Sequence, residues 1–152
     1  MSALHRFRRA ALAALALGLL GTAAAAPPPP PAGFVVVVRA DNPATSLPRA
    51  VLSRLFLKRD NSWPGALAAA PVDLAESVSA RQLFSREVHQ KPVAAIKAYW
   101  QQQIFSGRGT PPPERATEAQ VLDFVRANAG GIGYVSADTP LGTGLKALKV
   151  DP

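Results

Sequence analysis

A chain of 152 residues is long enough for one domain of ordinary size and too short for two. It contains no cysteine, which excludes disulfides, a thiolate nucleophile and a thiolate metal site. The formal charge of +7 comes without a dense basic stripe interleaved with aromatic residues, so the excess favours small anions and argues against nucleic acid as a partner.

The first residues read as a targeting segment. Arg6, Arg8 and Arg9 form a positive cluster, and Ala10–Leu20 is an apolar run of the length of a signal-peptide core, too short to span a bilayer. Thr22–Ala26 supplies small residues for cleavage. The expected division is a signal peptide over 1–25, a proline-rich spacer over 26–33 and a single α/β domain over 34–152. Pro27–Pro31 is five prolines in a row, which favours a stiff, extended polyproline segment. Three of the 17 basic residues and none of the ten acidic ones fall in the signal, which leaves the mature chain with an excess of four positive charges. Without a cysteine no lipid can be attached to one. The expectation is therefore a periplasmic protein with no stable membrane anchor after cleavage.

In the domain, Phe34–Val38 is a continuous β-branched run and predicts a strand buried on both faces. Asp41, Asn42 and Pro43 turn the chain. Ser46 is the expected N-cap of a helix reaching about Phe56, with Leu47, Val51, Leu52, Leu55 and Phe56 on its apolar side. Lys58–Gly65 is a loop in which Trp63 is expected to pack as a lid on the core. Leu67–Leu74 predicts a second, alanine-rich strand, and a helix follows from about Ser79 to His89. A third helix runs from Pro92 to about Phe105, with Val93, Ile96, Trp100 and Ile104 on one face and Gly107 as its stop. Arg108–Arg115 is a loop. Thr117 and Gln120 fit a capping box that starts a fourth helix. Ile132–Ser136 predicts a third strand, and Leu145–Val150 a last strand at a sheet edge, because its lysines alternate with apolar residues. Strands alternating with helices predict a sheet covered by helices.

The candidate site is the turn between the second strand and second helix, within Pro71–Phe84. A strand that turns tightly into a helix presents unpaired backbone N–H groups at the positive end of the helix dipole, an arrangement suited to an anion. Ser77 or Ser79 is the expected N-cap, and Ser77, Ser79 and Arg81 are the candidate oxyanion ligands. A capped helix has the same start whether or not it binds anything, with Arg81 then simply solvated. Asp73 and Glu76 flank the turn, where they could orient Arg81, repel an anion or line a solvated loop edge.

Several pieces together carry a family resemblance. They are Val35–Val38 followed by Asp41-Asn42-Pro43; Leu55-Phe56-Leu57-Lys58 with Trp63-Pro64-Gly65; Arg81 with Phe84; Tyr99-Trp100; and Gly130-Gly131-Ile132-Gly133-Tyr134-Val135. In this order and spacing they resemble the phosphate-binding components of ABC importers, of the type II periplasmic-binding-protein superfamily. The resemblance implies a three-layer α/β fold, an exported location, and phosphate or a similar oxyanion as ligand. It also implies ABC-importer membrane subunits, or a second copy of the chain, as partners. It covers one lobe of a two-lobed family. Where that family has Gly-Ser-Gly-Thr before an arginine, this chain has Ser77-Val78-Ser79-Ala80 before Arg81.

No catalytic pattern stands beside this. His89 is the only histidine outside the signal, expected to cap a helix end or lie exposed, and no Ser-His-Asp pattern, phosphate loop or metalloprotease helix is present. The sequence therefore points to a binding protein with no cofactor and no metal. The alternative is a non-enzymatic exported interaction module that kept the lobe and lost the ligand. An exported hydrolase is the weakest option.

Overall fold

A computed structural model describes residues 33–65 and 67–152. The expected signal peptide and all of the spacer except Gly33 lie outside the described residues. The elements are β1 (Phe34–Arg39), β2 (Ser46–Pro48), α1 (Arg49–Phe56), β3 (Ala70–Pro71), β4 (Asp73–Leu74), α2 (Ser79–Val88), α3 (Val93–Phe105), β5 (Glu114–Arg115), α4 (Glu118–Ala127), β6 (Gly131–Ser136) and β7 (Leu145–Asp151).

Five strands form the main sheet in the order β2-β7-β1-β6-β3. The valine run of β1 lies at its centre, antiparallel to β6 (Val36 opposite Tyr134) and to β7 (Val36 opposite Leu148). Side chains alternate across a strand, and β6 shows what lies on each side. Gly133 faces α4: a Cβ there would come within 2.5 Å of Val121 Cγ1 and 3.0 Å of Val72 Cγ1. Tyr134 faces the other way and packs with Phe56 of α1 and Phe84 of α2, stacking on the Phe84 ring at 3.9 Å between centroids. Helices therefore cover both faces, which gives the three-layer arrangement the sequence predicts.

Four local expectations are corrected. Ser46 is not a helix cap. Ser46–Pro48 extends alongside β7 in parallel, and α1 begins only at Arg49, behind Pro48. As a result β7 is not an edge strand: β2 shields it, and Lys146 donates to the Asn42 carbonyl at 2.5 Å. Leu67–Leu74 is not one strand. The Val72 N–H bonds Ile132 on β6, but the next N–H, that of Asp73, bonds Pro113 and carries the chain into a second small sheet with β5. Ile104 does not share the buried face of α3. It is 52% exposed because the last turn of the helix runs past the body it packs on.

Other readings hold. Trp63 is buried, and its indole N–H donates to Gly130 O at 3.0 Å. Thr117 caps α4 by accepting from the Gln120 N–H, while the Gln120 side chain accepts from Ala116 N–H, one residue before the expected donor.

Candidate functional site

The turn from β4 into α2 is built around a buried triad. Asp73 opens β4 with its side chain buried in the core, eight residues before Arg81 on the inner face of α2. Arg81 Nη1 donates to Asp73 Oδ2, and Tyr134 from β6 donates its hydroxyl proton to Asp73 Oδ1. The Leu74 N–H also reaches Asp73 Oδ1 at 3.1 Å, and Arg81 Nη1 lies 3.3 Å from the Tyr134 hydroxyl. All three side chains are buried, and Arg81 Nε has no partner. Burial pushes the Asp73 carboxyl above its ordinary value, against the opposing pull of the Arg81 charge and the Tyr134 and Leu74 hydrogen bonds. Burial also pulls Arg81 down, but the Asp73 charge, Tyr134 and the hydrogen bonds to both together outweigh it and raise the guanidinium above its ordinary value. Burial, with the Asp73 charge beside it, drives the Tyr134 hydroxyl well above its ordinary value.

The two serines lie elsewhere. Ser77 and Ser79 are exposed on the outer side of the same turn. Neither caps α2: the N-cap is Val78, in extended backbone, and no side chain accepts from the first N–H groups. The helix start thus lacks a side-chain cap, although the Arg81 N–H bonds the Val78 carbonyl at 3.0 Å. The structure brings Ser77 and Ser79 to one surface and separates Arg81 from them by sending it inward to Asp73. Glu76, beside the serines, is neutralised by Lys97 of α3 at 2.7 Å, and the Lys97 hydrogen bond lowers its pKa.

Sequence reasoning found Arg81 and offered Asp73 or Glu76 as groups that could orient it; the geometry selects Asp73. Tyr134 was legible only as part of a glycine-rich strand. The signal that could have joined them is polarity out of pattern, since Asp73 follows Val72 at a strand position that buries its neighbours. His89 is likewise neither exposed nor a carbonyl cap. It is buried with Nδ1 2.9 Å from Ser53 Oγ and its edge against Phe84, and burial, with Arg81 nearby, lowers its pKa to about 4. Among the described residues no three His, Asp or Glu side chains gather closely enough to hold a metal ion. None of the described helices is long and apolar enough to cross a membrane.

No known family matches the sequence. No curated protein matches it either. Solved structures do match the fold. A protein described as a phosphate ABC transporter substrate-binding protein from Clostridium perfringens, with phosphate bound, superposes with a TM-score of 0.59 at 15% identity over 78% of this chain. An ABC-type phosphate transport receptor from Vibrio cholerae gives 0.55 at 18% identity over the same share. A possible phosphate-binding protein from Planctomyces limnophilus gives 0.55 at 14%. This chain spans only 44%, 46% and 41% of those chains respectively. At such identities the likeness is one of fold, and the fold is that of a single lobe of a solute-binding protein.

Proposed function

We propose that this protein is an exported, one-lobe relative of solute-binding proteins that holds phosphate or a similar oxyanion at the start of α2. The observation that carries this reading is the uncapped α2 N-terminus, flanked by the two exposed hydroxyls of Ser77 and Ser79. Open N–H groups and hydroxyl donors at the positive end of a helix favour an anion. Arg81 has a positioning role: anchored to Asp73 and Tyr134, it fixes the turn from below. The phosphate-associated proteins with the same fold support the choice of ligand and suggest ABC-importer subunits as partners. They are binding proteins, which supports a binder over a catalyst.

A second reading has its own support. Arg81, the one cation of the turn expected to hold an anion, is committed to a buried carboxylate. A non-enzymatic interaction module that has lost its ligand fits that pairing. Calorimetry on the purified protein separates the two. Micromolar phosphate binding that is lost in a Ser77→Ala/Ser79→Ala variant supports the receptor. No heat with phosphate or sulfate at millimolar concentration leaves the interaction module.

A further inference from the structure

A second cleft lies away from the α2 turn, between the end of α1 and the end of α3. It has a volume of about 290 Å³. Besides Tyr99 and Trp100, five side chains able to donate hydrogen bonds line it: Lys58, Asn61, Gln103, Arg108 and Thr110. No carboxylate lines it, and the nearest acid in sequence, Asp60, is held by Arg54 at 2.8 Å. None of the ion pairs among the described residues includes Lys58 or Arg108. Lys58 donates to Pro111 O at 3.2 Å, which uses one of its three protons and ties it to the loop that carries Arg108. Tyr99 and Trp100 form the apolar wall, edge to face at 5.0 Å, with Tyr99 fixed by its hydroxyl on Leu57 O at 3.2 Å. A concave surface with a few convergent polar groups is the usual form of a small-ligand site.

The backbone at Lys58 points the same way. Helix α1 ends in a Schellman motif: Leu57 is the C-cap, the Lys58 N–H bonds Leu55 O at 3.1 Å and the Arg59 N–H bonds Arg54 O at 2.9 Å. The motif requires a left-handed residue just after the cap. Glycine fills that position at no steric cost, but here it is lysine, with φ of +50°. A side chain kept where the backbone disfavours one is a sign that the side chain is needed.

We propose that this cleft is an oxyanion site, distinct from the α2 turn, in which Lys58 and Arg108 bind a phosphate- or carboxylate-type group against the Tyr99–Trp100 wall. Lys58 is a binding residue held there at a cost in stability. Both cations are exposed, so binding is weak and salt-dependent.

The test uses the purified protein and inorganic phosphate, followed by two-dimensional amide NMR against sodium chloride at matched ionic strength. The Trp100 indole and the Gly109 and Thr110 amides report this cleft, and the Ser79 and Ala80 amides report the α2 turn. The expected result is a saturable shift at the first group with phosphate and not with chloride. Lys58→Gly should raise the melting temperature by a few degrees while weakening phosphate by about tenfold, the scale of one charge-assisted hydrogen bond. Lys58→Met should weaken binding equally without the gain in stability. Shifts confined to the α2 turn, equal shifts with chloride, no weakening in the Lys58 variants, or a Lys58→Gly protein no more stable than the parent would each overturn the proposal. Loss of the α2 response alone would touch only the reading of that turn.

Discussion

Asp73 and Arg81 close an ion pair in which the carboxylate side chain is 6% exposed and the guanidinium 3%. A pair this deep gains from its Coulomb attraction but bears the desolvation of both charges, and Tyr134 and the Leu74 amide supply the hydrogen bonds that complete the carboxylate. The pair ties the start of α2 to β4, and through Tyr134 to the central sheet.

Removing one partner should therefore be much worse than removing both. Arg81→Ala strands a buried carboxylate and should cost about 3–5 kcal/mol, a large part of the stability of a domain this size. A double variant, Asp73→Leu with Arg81→Met, should recover most of that loss. Urea unfolding of the three proteins checks it, and a double variant as unstable as the single one would show that the pair itself contributes the stability. For the same reason Arg81→Ala is a poor probe of anion binding, because lost binding could be lost folding.

His89 should make stability fall in mild acid. Its folded pKa of about 4 lies below the ordinary 6.5, so between those values the unfolded chain binds a proton that the folded one excludes. The contribution is complete above about pH 6.5 and declines toward pH 4, by at most about 1.4 kcal/mol per pH unit. Glu118 adds a loss at lower pH. Burial pushes its carboxyl up, but hydrogen bonds from the hydroxyls of Ser136 and Thr139 and the Ser136 amide hold it below its ordinary value. His89→Gln should flatten the pH 4–6.5 portion of the stability curve and leave the more acidic portion in place.

Gly133→Ala should destabilise by about 1–3 kcal/mol through overpacking, since the added methyl would lie 2.5 Å from Val121 Cγ1. Val121→Ala in the same protein should relieve part of that cost. A double-mutant cycle by thermal unfolding reads the coupling, and strict additivity would place the strain elsewhere.

Helix caps give a contrast between two similar sequences. Thr117→Ala removes a cap that accepts from Gln120 N–H and should cost about 1 kcal/mol. Ser77→Ala and Ser79→Ala remove no cap and should stay within about 0.5 kcal/mol of the parent. Equal losses at all three would mean that a serine caps α2 in solution.

Those serines also mark how far the sequence could be read. The helix α2 and its start were legible from periodicity and from the strand before it. The identity of the cap was not, because two serines one residue apart offer the same local chemistry, and the path of the backbone passes the position to Val78 between them. Valine runs and apolar stripes gave β1, β6, α3 and α4, since burial decides those. Ser46–Pro48 was misread because its strand pairing depends on β7, a hundred residues later, and no local pattern reports so distant a partner. The inward turn of Arg81 was hidden for a similar reason: its partners come from β4 and β6, and an arginine beside serines reads as a surface group until those partners are known.

The placement of β7 has a consequence for how the protein is made. Its two neighbours, β1 and β2, are the first two strands of the domain, yet it is the last strand to be synthesised. Without β7, β2 has no partner in the sheet and one side of the central strand β1 is unpaired. The sheet thus cannot be completed strand by strand in sequence order and closes through long-range pairing, which is slow. The sheet should close more slowly than one whose neighbouring strands follow one another in sequence.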